Sequence, residues 1–298
     1  MFPVAMRRVY HAGRRFAAAS LLCGLVLGPG TARAGAGPWL AKAGPVRIMA
    51  LGDSITAGVG AQGVDTGSGG YRGALERLLD THSFHYTMIG GRSDYSAQVR
   101  MRAHEGWPGY VLRSFPSDRA PQLYGAVTKS AIESYDPDVI LLMAGTNDLL
   151  RLAKHRPGYT ISNIVESMDA LLAQIFYLKP GVDVIVAGVV DSPRVHACDI
   201  AHFDGIPSEG ECGEMDGPSV RTLVENFRAR GFHISFASGM SGAVPRDKEH
   251  FPDGIHPSGP GGYEAVAQAW LQAIEDQTSD DATAVAGGLT NSPAFAGP

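Results

Sequence analysis

Three short stretches carry residues able to do acyl-transfer chemistry. They are G-D-S-I-T at 52–56, G-T-N-D at 145–148 and D-G-I-H-P at 253–257. A serine hydroxyl is a poor nucleophile until a base removes its proton. Ser54 is the candidate nucleophile, and His256 is the natural base, since a histidine offers a neutral imidazole near pH 7. Asp253 precedes His256 by three residues, close enough within one turn to bond one ring nitrogen, hold the tautomer and stabilise the imidazolium. Taken singly, each of these residues passes as a cap or a turn residue, because Ser, Asn and Asp do such work often. Asp53 and Asp148 read as turn and capping residues, and Asp53 is also a candidate substrate contact.

Chemistry of this kind needs a scaffold that brings distant segments to one edge. Apolar runs at Val46–Leu51, Phe84–Ile89, Asp138–Ala144, Val182–Val190 and Phe232–Ala237 predict five strands. Helical spacing predicts helices over Tyr71–Asp80, Ile161–Leu178, Val220–Arg230 and Tyr263–Ile274. Strands that alternate with helices, and are apolar on both faces, imply a parallel sheet covered on both sides. The expected fold class is α/β, a three-layer α/β/α sandwich with a five-stranded parallel sheet. In such sheets ligands bind outside the carboxyl ends of the strands. Asp53-Ser54 follows the first strand, Gly90 the second and Asn147-Asp148 the third, while Asp253 and His256 lie before the last helix.

Composition narrows the class. The chain has 298 residues, 44% hydrophobic and 18% charged, which suits a folded globular protein. Its net charge is −5 without a basic cluster, which argues against a nucleic-acid partner. Residues 1–34 hold five arginines and no acid. A short apolar run, Phe16–Leu27, follows the first four of them and ends in Ala32-Arg33-Ala34. A basic start, a short apolar middle and a small-residue end predict a cleavable signal peptide, hence a secreted or periplasmic protein. The run is too short for stable membrane insertion. Removing residues 1–34 leaves 20 basic residues against 30 acidic, a charge of −10, and two cysteines. In an exported chain Cys198 and Cys212, 14 positions apart, predict a disulfide. The domain reading is therefore 1–34 signal peptide, 35–276 catalytic domain and 277–298 a disordered tail of small and polar residues.

Competing motifs fail. G-x-G-x-x-G occurs at 58–63, but a dinucleotide site needs it at a strand end and opening a helix. His196, Asp199, His202 and Asp204 lack zinc- or calcium-loop spacing, so the segment 191–218 reads as a disulfide-pinned surface loop. No cofactor and no metal are expected.

The three motifs, in this order, resemble the blocks of the SGNH or GDSL hydrolases, over a span from Val46 to Ile274. The resemblance implies a flavodoxin-like fold and a carboxylic ester hydrolase working through Ser54, His256 and Asp253. It also implies an oxyanion hole made of the backbone N–H of Ser54, the backbone N–H of Gly90 and the side chain of Asn147, with Gly91 an alternative to Gly90. Gly70-Tyr71-Arg72 and His104-Glu105-Gly106-Trp107-Pro108-Gly109 resemble the secreted branch that includes acetyl xylan esterases. That likeness makes Tyr71, His104 and Trp107 candidate substrate contacts, with Tyr110 a further aromatic face for sugar. The expected partner is an ester substrate, an acetylated carbohydrate. The alternatives are a lipase or lysophospholipase and, from another class, a non-catalytic carbohydrate- or envelope-binding protein on the same scaffold. The sequence does not indicate the oligomeric state.

Overall fold

A computed structural model describes residues 42, 44–206, 212–213 and 217–289, with side chains to 277. The predicted signal peptide lies outside the described residues, as do residues 290–298 of the tail. Among the described residues no helix is long and apolar enough to cross a membrane.

The sheet is parallel throughout. Strands β1 (Val46–Gly52), β2 (Tyr86–Ile89), β4 (Val139–Met143), β5 (Asp183–Ala187) and β6 (Ile234–Ala237) stand in the order β2-β1-β4-β5-β6. A sixth strand, β3 (Glu105–Gly106), pairs with the end of β1, Leu51 opposite Glu105 and Gly52 opposite Gly106. The five expected strands are present, and β3 is the addition. Two residues without alternation give no sequence signal, and pairing with β1 alone makes them a strand.

Alternate residues of the central strands face two separate cores. Met49, Leu51, Ile140, Leu142, Val184 and Val186 face helices α3 (Ala126–Tyr135), α5 (Ile161–Leu178) and α7 (Val220–Ala229). Ile48, Ala50, Leu141, Met143, Ile185 and Ala187 face α2 (Tyr71–Thr81) and α8 (Gly262–Leu289). Helix α5 begins where the Thr160 hydroxyl accepts from Asn163 N–H at 3.2 Å. It buries Leu171, Leu172 and Ile175 completely, each contributing about 1.5–3 kcal/mol.

Helix α8 runs on past the expected domain end at 276 to Leu289. That stretch holds several alanines and no proline before Gly287-Gly288, so nothing in its chemistry breaks the helix earlier. Within the expected surface loop 191–218, residues Ala197–Asp204 form a helix, α6. Cys198 and Cys212 are joined by a disulfide that ties α6 to the segment after it.

The strand order turns at β1, with β2 on one side and β4 on the other. This is the switch point at which such sheets open a crevice. Residues 53–54 follow β1 there, and residues 146–147 follow β4.

Candidate active site

β1 ends at Gly52 and the chain turns at once into α1 (Ser54–Ala57), a single helical turn. Asp53 caps it by accepting from Ile55 N–H at 3.0 Å, and Gly58 closes it at a left-handed φ of 85°. A helix this short leaves its last carbonyls orphaned. Buried Arg72 fills that need: its Nε donates to Thr56 O at 2.8 Å and its Nη2 to Ala57 O at 2.9 Å and Ser96 Oγ at 2.7 Å. Burial pushes its guanidinium down to about 10, still charged at neutral pH. The start of α8 is tied to the same turn, since Tyr263 Oη donates to Val59 O at 2.6 Å.

Ser54 and His256 are 202 positions apart, yet Ser54 Oγ lies 2.9 Å from His256 Nε2. His256 Nδ1 lies 2.7 Å from Asp253 Oδ2. The Asp253 carboxylate is held in turn by backbone donors. Oδ1 accepts from Ile255 and His256 N–H, and Oδ2 accepts from Gln62 N–H, each at 2.9 Å. Burial alone would raise its pKa. The His256 side chain and the three N–H donors outweigh burial and hold it well below the usual carboxylate range. The loop thus presents an ionised acid to one ring nitrogen of His256, and α1 presents a serine hydroxyl to the other.

Of the donors expected for an oxyanion hole, two backbone groups have no hydrogen-bond partner among the described residues. Ser54 N–H, first in α1, and Gly90 N–H, just past β2, make no backbone hydrogen bond. Asn147 Nδ2 donates one hydrogen to Tyr110 O at 2.9 Å, which fixes the amide and leaves its second hydrogen free. Gly91 N–H is committed, because it donates to Glu105 Oε1 at 2.5 Å. Of the two glycines, only Gly90 keeps its donor. Gly90 has φ 149°, and a Cβ there would lie 2.5 Å from the His104 carbonyl, so only glycine fits.

The remaining site candidates fall elsewhere. Tyr71 is fully buried in the core beside Trp270, with ring centroids 6.0 Å apart. It offers no face to a substrate, because the start of α2 packs its ring under α8. His104 is fully buried too. Its Nδ1 accepts from Gly106 N–H and its Nε2 lies against Asp94 O, both at 3.0 Å, so both nitrogens serve the fold. Burial, with Arg72 nearby, pushes its pKa down to about 4 and keeps it neutral. Trp107 is half-buried, with Arg92 over its ring at 4.4 Å and the Tyr110 ring at 5.1 Å. Asp53 is buried and acts as the cap of α1, not as a surface contact. Burial raises it to about 6, against the Ile55 N–H and the His256 charge. Asp148, also buried, accepts from Leu112 N–H at 3.0 Å and is pushed by burial up to about 8. Asp204 accepts from Val189 N–H, and His202 lies against Cys212 O. Among the described residues no group of His, Cys, Asp or Glu is arranged to hold a metal ion.

Two residues that stand in the quoted motifs, Arg72 and Glu105, carried no role in the sequence reading. A buried charged residue surrounded by backbone groups leaves no pattern in sequence. The adjoining apolar positions of α2 were the one available sign that Arg72 sits near the core.

Residues 50–265 match the model of the GDSL-like lipase/acylhydrolase family. The chain belongs to that family, whose reaction is the hydrolysis of carboxylic esters. Over 252 residues, 78% of this chain, it is 25% identical to a multidomain esterase of Ruminococcus flavefaciens and spans 29% of that protein's length. The fold is similar to that of a family 3 carbohydrate esterase of Clostridium thermocellum, with a TM-score of 0.59 and 23% identity over 79% of this chain and 98% of the other. A family 3 carbohydrate esterase of Talaromyces cellulolyticus is similar at a TM-score of 0.56 and 19% identity, over 79% of this chain and 99% of that one.

Proposed function

We propose that the protein is an exported serine esterase that removes short acyl groups, chiefly acetyl, from carbohydrate hydroxyls. The observation that carries the catalytic part is the continuous contact from Ser54 Oγ through His256 to Asp253. Ser54 Oγ attacks the ester carbonyl as His256 Nε2 takes its proton. The carbonyl oxygen becomes an oxyanion and accepts from Ser54 N–H, Gly90 N–H and Asn147 Nδ2, donors preset before the reaction. His256 then returns the proton to the leaving alcohol, and an acyl group remains on Ser54. Water repeats the sequence with the acyl-enzyme, giving the carboxylic acid and free Ser54. Asp253 stays ionised and stabilises the imidazolium at each step.

The motifs around Tyr71 and His104–Gly109 resemble the acetyl-ester branch, and relatives of similar fold are named carbohydrate esterases. Trp107 and Tyr110 are half-buried, and Tyr110 O holds Asn147. The pair therefore lies beside that amide, where a sugar's apolar C–H face can rest. Export follows from the arginine-rich, apolar start of the chain. The test is kcat/KM for acetyl, butyryl and octanoyl esters of one alcohol, followed by acetate release from acetylated xylan. The expected profile peaks at acetyl, with acetate released. A maximum at octanoyl with no acetate would overturn the carbohydrate reading in favour of a lipase.

A further inference from the structure

The segment from His104 to Tyr110 contacts the turns that carry Gly90, Ser54 and Asn147. The His104 carbonyl backs Gly90, and its backbone pairs with Arg92 in both directions, His104 N to Arg92 O at 3.1 Å and Arg92 N to His104 O at 3.0 Å. The Glu105 carboxylate accepts from Gly91 N–H through Oε1 and from Trp107 Nε1–H through Oε2, at 2.5 and 3.0 Å. Gly106 lies against α1 so closely that a Cβ there would stand 2.3 Å from Ala57 N. Trp107 N–H donates to Gly52 O at 2.8 Å, two residues before Ser54. Tyr110 O accepts from Asn147 Nδ2, and the Tyr110 ring rests on Trp107.

Five of these seven residues thus contact the β2 turn, the nucleophile turn and the β4 turn. We infer that this segment is a brace setting the oxyanion donors relative to one another, with Glu105 as its principal positioning residue. This rests on the esterase reading of the same site. Glu105 does not touch the substrate. By taking the Gly91 N–H it leaves Gly90 as the only donor of that turn, and by holding the indole N–H it fixes the ring against which Tyr110 packs. Glu105 is 3% exposed, so water does not replace it when it is lost. Burial raises its pKa, while Gly91, Trp107 and Arg92 oppose that shift and favour the carboxylate.

Glu105→Gln separates positioning from bulk. The amide has nearly the shape of the carboxylate but one acceptor end, so either Gly91 or Trp107 meets an N–H in place of an oxygen. Kinetics with 4-nitrophenyl acetate, measured on folded full-length protein, should show kcat down by about 10- to 100-fold with KM nearly unchanged, less than the ~10²–10³ of losing an oxyanion donor outright. Affinity for phenylboronic acid, which forms a tetrahedral adduct on the serine, should fall in step. Glu76→Gln is the comparison, a buried carboxylate of α2 that accepts from Met101 N–H at 2.8 Å. It should lower Tm and leave kcat as in the wild type. Should Glu105→Gln not fold, Trp107→Phe decides, since it removes the indole donor to Glu105 and keeps an aromatic ring: a lowered kcat at constant KM supports the brace, and an unchanged kcat overturns it. The brace is also overturned by wild-type kcat in Glu105→Gln, or by a loss confined to KM. Hydrolysis by the wild type and its absence in Ser54→Ala test the esterase reading separately, whatever Glu105→Gln does.

Discussion

His256 with Asp253 and His104 with Glu105 are both histidines close in sequence to an acid, both on loops at the carboxyl edge of one sheet. They end in opposite roles. His256 spends one nitrogen on Asp253 and presents the other to Ser54 Oγ. His104 spends both nitrogens on backbone, and its neighbour Glu105 binds Gly91 and Trp107 instead of the ring. The acids differ as well. Three backbone N–H groups and an imidazole hold Asp253 ionised, whereas burial raises Glu105. A histidine beside a carboxylate becomes a base only where one ring nitrogen is left for a reactant. Where both are taken, it is a strut.

The difference is open to a double dissociation. The largest effect should come from the reactive pair: Ser54→Ala or His256→Ala should each lower kcat by about 10⁴–10⁶, with the double variant little worse than either. Tm should barely move, since neither side chain holds the core. Additive losses would break the triad as a unit. Next is Asn147→Ala, which should reduce kcat about 10²–10³ at nearly constant KM, because that bond strengthens only in the transition state. A rise in KM alone would make Asn147 a substrate-positioning residue.

The smallest effect on turnover should come from His104→Asn, whose loss shows in stability instead. The folded protein holds His104 neutral, with a pKa near 4, against an unfolded value of 6.5. Between these pH values the unfolded chain binds a proton that the folded chain refuses, so this group's stabilisation is present above pH 6.5 and is lost as pH falls to 4. The denaturant stability of the wild type relative to His104→Asn should therefore grow from pH 4 to 6.5, by up to about 3 kcal/mol, and level off above. A gap independent of pH would contradict a neutral buried His104.

The strands were legible because each is a near-continuous apolar run, and α5 because its periodicity is long: it starts and stops where the spacing predicts. Ser54 was legible as a motif residue at a predicted strand end, and Asp253 and His256 as motif residues before the last predicted helix. Their meeting across 202 positions depends on the order of the strands, which no local pattern carries. β3 and α6 were not legible. The first exists only through pairing with β1, and the second is eight residues in a Gly- and Pro-rich stretch that a disulfide gathers. Tyr71 and His104 were misplaced at the substrate for a shared reason. Tyrosine and histidine serve equally in cores and in clefts, and burial decides between them only after the helices have docked.

In the proposed mechanism Ser54 Oγ is the atom that carries the acyl group. The direct measurement is intact and peptide mass spectrometry after reaction with a fluorophosphonate, which labels a serine activated as a nucleophile. A single adduct on the peptide holding Ser54, absent in Ser54→Ala and greatly slowed in His256→Ala, is the predicted result. An adduct on another residue, or ester hydrolysis undiminished in Ser54→Ala, would contradict it.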